Sequence, residues 1–263
     1  MRKLLSIFTF VVFLFAVTGC GENIFAQQNS DPMAGDISTD FGSDEVLSGQ
    51  QWTQGPIEQA RGFYAKGSII SSTVMPASGV GFVKLNPQGT NRFATYDLGV
   101  VLAKGAEYVH KYFPQGDRLL IGDLTSQRGG KAGGHSSHQN GLDADIAYFN
   151  IARRHTNVGE RADFQSMVVN GKISPEFDIE RNVALLKGLY GSGRVARIFV
   201  HSAVKKAFCS YFKSKGVDVQ KNDLLRRLII YPNHHHHMHV RISCPLKSPT
   251  CVNQAPPTET SGC

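Results

Sequence analysis

Gly134-His135-Ser136-Ser137-His138-Gln139-Asn140-Gly141-Leu142-Asp143-Ala144-Asp145-Ile146-Ala147-Tyr148 passes from a glycine-rich loop into a strand. Gly129-Gly130 and Gly133-Gly134 mark an irregular approach. From Leu142 the residues alternate, with Leu142, Ala144, Ile146 and Tyr148 on one face and Asp143, Asp145 and Ala147 on the other. A second stretch repeats the pattern after a histidine run, His234-His235-His236-His237-Met238-His239. Here Met238, Val240 and Ile242 face a core, while His239, Arg241 and Ser243 point the other way. Two strands thus pair an apolar face with one that carries histidine and carboxylate.

Around these strands the periodicity is mixed. Leu98, Val101, Leu102, Tyr108, Val109 and Tyr112 recur three and four residues apart, which predicts a helix capped by Asp97. Leu119-Leu120-Ile121 predicts a buried strand, residues 179–190 a helix, and Arg197-Ile198-Phe199-Val200 another strand. Ser202 is placed to cap a helix carrying Val204, Ala207, Phe208 and Tyr211. There is no internal repeat. Short strands broken by helices and long loops predict an α+β fold: a small antiparallel sheet with flanking helices.

The chain has 263 residues, 41% of them hydrophobic and 19% charged. That excludes a wholly disordered chain and a collagen-like fibre, and the length suits one large domain. Met1-Arg2-Lys3 is a basic start, and residues 4–17 are almost wholly apolar but shorter than a spanning helix requires. Val17-Thr18-Gly19-Cys20 resembles a bacterial lipobox. Residues 1–19 are therefore expected to be a lipoprotein signal peptide, with Cys20 the acylated residue. An ordinary signal peptide, with Cys20 a bystander, is the alternative. Gly21 in place of Asp favours the outer membrane by resemblance to sorting signals. Residues 20–55, rich in Gln, Asn, Ser, Gly and Asp, read as a flexible tether, leaving 56–263 as the domain. Loss of Arg2 and Lys3 leaves 26 basic against 21 acidic residues, a net charge of +5. This suits a substrate bearing carboxylates, and export argues against a nucleic-acid partner.

With Cys20 set aside, Cys209, Cys244, Cys251 and Cys263 remain, an even number in an exported chain. Three connectivities are open. A local Cys244–Cys251 loop containing Pro245 and Pro249 is plausible and would leave Cys209 with Cys263. A four-cysteine zinc site is disfavoured because there is no Cys-x-x-Cys pair.

The histidine clusters suggest a metal centre. Zinc takes neutral imidazole and carboxylate ligands, and a catalytic site leaves one position open. His237 and His239 are two apart on a strand, so both emerge on one face. Adjacent strands would bring His138, Asp145 and His239 onto one ion on the sheet face, with His237 beside it. The bland alternatives are a tag-like run, a solvated histidine loop, or carboxylates on the open side of an edge strand. One or both of His235 and His236 are expected to be merely exposed.

These motifs carry a family resemblance. Ser136-x-His138 followed by Gly141 and Asp145, with His237-x-His239, resembles the paired motifs of the lysostaphin, D-Ala-D-Ala peptidase and hedgehog superfamily. The closer similarity is to penicillin-insensitive murein endopeptidases. It runs through Ile121-Gly122-Asp123-Leu124, residues 134–139 and 141–146, Arg197-Ile198-Phe199-Val200 and His237-Met238-His239-Val240-Arg241, and covers roughly residues 65 to 263. The resemblance implies zinc on His138, Asp145 and His239, with His237 assisting the chemistry. It also implies His135 and His234 as groups beside the metal or additional ligands, and the disulfides Cys244–Cys251 and Cys209–Cys263. A further metal-binding pair of the family falls near Asn170 and Ile173, so no second metal is carried over. The implied activity is zinc-dependent hydrolysis of D-alanyl-meso-diaminopimelyl cross-links in periplasmic peptidoglycan, insensitive to β-lactams. A zinc D,D-carboxypeptidase or dipeptidase, and a non-catalytic zinc-containing wall-binding protein, are the competing expectations. Cys20 departs from the usual soluble family enzyme and implies membrane attachment through a lipid anchor.

Overall fold

The computed structural model describes residues 58–131, 133–151 and 164–263. The signal segment, Cys20 and the tether lie outside the described residues. The chain opens with a hairpin of Gln59–Phe63 (β1) and Lys66–Ile70 (β2). Short strands follow at Thr73–Val74 (β3), Ser78–Gly79 (β4), Phe82–Lys84 (β5) and Phe93–Ala94 (β6), then helix Tyr96–Tyr112 (α1). Next come Leu119–Ile121 (β7), Asp143–Ala147 (β8), the hairpin Val168–Val169 (β9) and Lys172–Ile173 (β10), and helix Ile179–Gly191 (α2). The described elements end with Val195–Val200 (β11), helices Ser202–Ser214 (α3) and Asp223–Arg227 (α4), Leu228–Ile230 (β12) and His237–Ile242 (β13).

Seven strands form the largest sheet in the order β12-β11-β13-β8-β7-β5-β4. The small antiparallel sheet expected from the sequence is corrected on two counts. The sheet is larger, and it is mixed, because β11–β12 and β5–β7 pair in parallel. Each parallel pair follows a connection containing a helix, α3 and α4 in one case and α1 in the other, and such crossovers return the chain in the same direction. The central pair, β8 with β13, is antiparallel.

Ala144, Ile146, Met238, Val240 and Ile242 are fully buried on one face of that pair. Burial contributes about 1.5–3 kcal/mol for each large aliphatic side chain. Helices α1 and α2 cross where Gly105 meets Gly188; a Cβ at Gly188 would lie 3.0 Å from the Gly105 Cα, so the approach needs both glycines. The cap of α1 is Thr95, whose hydroxyl accepts from Leu98 N–H at 3.2 Å, rather than Asp97, which sits in the first turn. Likewise His201 caps α3, with Ser202 its first residue. Disulfides join Cys209 in α3 to Cys263, and Cys244 to Cys251, fastening the chain after β13 as a strap.

Candidate metal centre and its cleft

The register of β8 and β13 sets the site. Asp145 lies directly opposite His239, Asp143 opposite Arg241, and Ala147 opposite His237. Alternation turns Asp143, Asp145, His237, His239 and Arg241 to one face. Because β8 and β13 are interior strands, both carboxylates are buried; the open-edge alternative does not hold.

His138 arrives from the loop before β8. Its φ of +62° lies in the left-handed region, uncommon for a residue with a side chain. Its backbone N–H donates to Asp143 Oδ2 at 3.1 Å, which holds that conformation. Gly141, with φ +78°, then turns the chain into β8; a Cβ there would lie 2.9 Å from the Thr95 nitrogen.

Three ligand-type atoms meet at equal spacing. His138 Nε2 and His239 Nδ1 each lie 3.3 Å from Asp145 Oδ1, and 3.3 Å from one another. Tetrahedral zinc with bonds of about 2.0–2.1 Å has ligand–ligand edges of about 3.3–3.4 Å, so the triangle matches one tetrahedral face. Asp145 Oδ1 is buried and takes no hydrogen bond among the described residues. Such an atom is costly unless a cation satisfies it. The donor set therefore fits a divalent metal of the zinc type.

Neighbouring groups fix both rings. His138 Nδ1 is 2.9 Å from the Leu124 carbonyl, which only accepts, so Nδ1 carries the proton and Nε2 presents its lone pair. His239 Nε2 is 2.9 Å from Asp143 Oδ1, which leaves Nδ1 facing Asp145. Asp143 in turn accepts from Arg241 Nε at 2.7 Å. Burial alone would raise the Asp145 pKa, but His138 and His239 hold it well below the usual carboxylate range. Burial opposes protonation of His239, yet Asp143 and Asp145 raise its pKa to about 9.

His237 projects its Nε2 to within 3.4 Å of Asp145 Oδ1. Its ring stacks on Phe164, with centroids 5.2 Å apart, and burial lowers its pKa to about 3. His234 has Nδ1 2.7 Å from the Pro232 carbonyl, and its ring centroid lies 4.9 Å from that of His237. His135 places Nε2 3.0 Å from Asp123 Oδ2 and Nδ1 3.8 Å from Asp145 Oδ2. His135, His138 and Asp145 form a second, looser trio, with one ligand atom from each lying within 4.8 Å of the others. The tighter triangle includes His239.

A cleft of about 460 Å³ opens over these groups and is lined by His135, His138, Asp145, His234, His237 and His239 among others. His235 and His236 are half-buried rather than simply exposed. His235 packs against residues 166–167, through Nδ1 3.1 Å from Ser166 Oγ and its carbonyl accepting from Met167 N–H. His236 lines the cleft and stacks on His237. Sequence reasoning did not single out Asp123, Phe164 or the Leu124 carbonyl as part of this site. For Asp143 the signal existed, since it shares the Asp145 face two residues away.

Fold and site together define a mixed α/β protein whose central strands carry a candidate metal centre at the floor of a cleft. The chain belongs to the penicillin-insensitive murein endopeptidase family, which matches it over residues 60–263. A protein of that name from Klebsiella pneumoniae (strain 342) is 31% identical over 210 residues, covering 78% of this chain and 73% of its own length. Relatives of the same name from Yersinia pestis bv. Antiqua (strain Antiqua) and Yersinia enterocolitica serotype O:8 / biotype 1B (strain NCTC 13174 / 8081) are 30% and 28% identical, with the same coverage.

Proposed function

We propose that the chain is a zinc-dependent murein D,D-endopeptidase that hydrolyses D-alanyl-meso-diaminopimelyl cross-links in peptidoglycan. The observation that carries this reading is the equilateral triangle of His138 Nε2, Asp145 Oδ1 and His239 Nδ1 in a chain of this family. These three would hold the zinc, with His135 and His234 close enough to support it. Bound there, zinc supplies Lewis-acid polarisation of the scissile carbonyl and acidifies the attacking water.

The protein's own part is proton handling and positioning. His237 Nε2, at the cleft, takes a proton from the attacking water as the new C–O bond forms. The C–N bond of the cross-link then breaks, and the proton held by His237 passes to the leaving amine of diaminopimelate. Asp143 and Arg241 keep His239 in place throughout. No serine acts as nucleophile, so β-lactams, which acylate active-site serines, have no target. We place the protein in the periplasm, tethered through residues 20–55 and an acylated Cys20, with the outer membrane favoured by Gly21.

The test is digestion of purified muropeptides with and without a chelator. Zinc-dependent conversion of cross-linked dimers to monomers supports the reading. Trimming of monomeric stem peptides alone would point to a carboxypeptidase. Zinc binding without cleavage would point to a wall-binding protein.

A further inference from the structure

The strap brings to the cleft one side chain that the chemistry above does not use. At Cys251 it runs beside β1, where Gly62 N–H donates to the Thr250 carbonyl and Val252 N–H donates to the Gly62 carbonyl, both at 2.9 Å. Asn253 Oδ1 accepts from Cys244 N–H at 2.8 Å, closing the loop that precedes Gln254. Gln254 is half-buried and lines the cleft together with Arg241 and His239.

Arg241 Nη1 donates to Gln254 Oε1 at 2.8 Å. An arginine has only donors, so the amide atom facing it is the oxygen, and the NH₂ group lies on the other branch of the amide. Among the described residues no acceptor takes the Gln254 Nε2 hydrogens. Arg241 is itself held firmly: Nε and Nη2 bind Asp143 at 2.7 and 3.4 Å. Its guanidinium carbon lies 4.1 Å from the Tyr64 ring centroid and 5.0 Å from that of Phe199. The amide is therefore oriented before any ligand arrives, which reduces the entropy cost of binding through it.

We propose that Gln254 is a substrate-binding residue whose Nε2 donates a hydrogen bond to an acceptor oxygen of the stem peptide, a carboxylate or a peptide carbonyl. The inference rests on the murein-peptide reading of the cleft. A donor oriented by Arg241 at the cleft wall matches a ligand rich in oxygen acceptors, and the strap's two disulfides fasten the segment that presents it.

Two substitutions separate binding from structural support. Gln254→Glu keeps an acceptor for Arg241 but removes the donor and places a negative oxygen toward the ligand. Gln254→Ala removes both interactions. With zinc-loaded protein and a cross-linked muropeptide, Gln254→Glu is expected to raise KM by about tenfold or more, with kcat and zinc content near wild type. Gln254→Ala is expected to raise KM less. Comparison of substrates with free and amidated carboxylates identifies the oxygen. A Gln254→Glu penalty that shrinks on amidation assigns a carboxylate, and an unchanged penalty assigns a peptide carbonyl. A wild-type KM for Gln254→Glu, with Gln254→Ala losing zinc or thermal stability, would make Gln254 a mere prop for Arg241 and overturn the inference while leaving the enzyme reading intact. Wild-type protein that cleaves no muropeptide would overturn both.

Discussion

His237 and His239 stand two residues apart on one face of β13, yet the two ends of that strand present different chemistry. At the inner end Asp143 lies behind His239, 2.9 Å from Nε2, and Arg241 closes over Asp143. The ring is fixed, its other nitrogen meets Asp145, and its pKa is raised despite burial. At the outer end His237 has an aromatic stack with Phe164 and His236, and the one carboxylate it meets among the described residues is Asp145. There burial dominates and drives the pKa down. What distinguishes the two rings is the carboxylate behind His239, not their membership of a histidine run.

That contrast can be broken from its inner end outward, ordered by the expected loss of zinc. His239→Ala removes one corner of the triangle, so bound zinc and cross-link cleavage should disappear together, as read by metal analysis after dialysis and by muropeptide digestion. Full retention of zinc would instead put the ligand set on the looser trio of His135, His138 and Asp145. Asp143→Asn keeps the shape but removes the charge behind His239. Zinc affinity, measured by competition with a chromophoric chelator, should weaken by about 10–100-fold. An unchanged affinity would show that His239 holds its orientation without that carboxylate.

Much of this was legible in the sequence, for identifiable reasons. Leu142 to Tyr148 and Met238 to Ser243 alternate cleanly, so the strands and the face carrying Asp145, His237 and His239 could be read from period alone. The register that sets Asp145 opposite His239 could not, because pairing is decided by contacts distant in sequence. The parallel pairs were missed for the same reason: Phe82–Lys84 and Leu228–Ile230 are too short to announce themselves by periodicity. Asp143 was visible as a neighbour of Asp145, but its service to His239 depends on Arg241 from the partner strand. Gln254 carries no local signal at all; the path of the strap brings it to the cleft. His235 and His236 looked solvent-exposed because nothing in their own sequence encodes the packing of Ser166 and Phe164 against them.

The most direct measurement belongs to His237→Ala, for which only a small loss of zinc is expected: zinc stoichiometry and cleavage rate on the same preparation. His237 is outside the triangle, so the variant should retain near-stoichiometric zinc while cleavage falls by about 100-fold or more. His235→Ala, altered in the same run but bonded to Ser166, should change neither quantity. If His237→Ala loses zinc as completely as His239→Ala, or cleaves cross-links at the wild-type rate, the division of roles along β13 is contradicted.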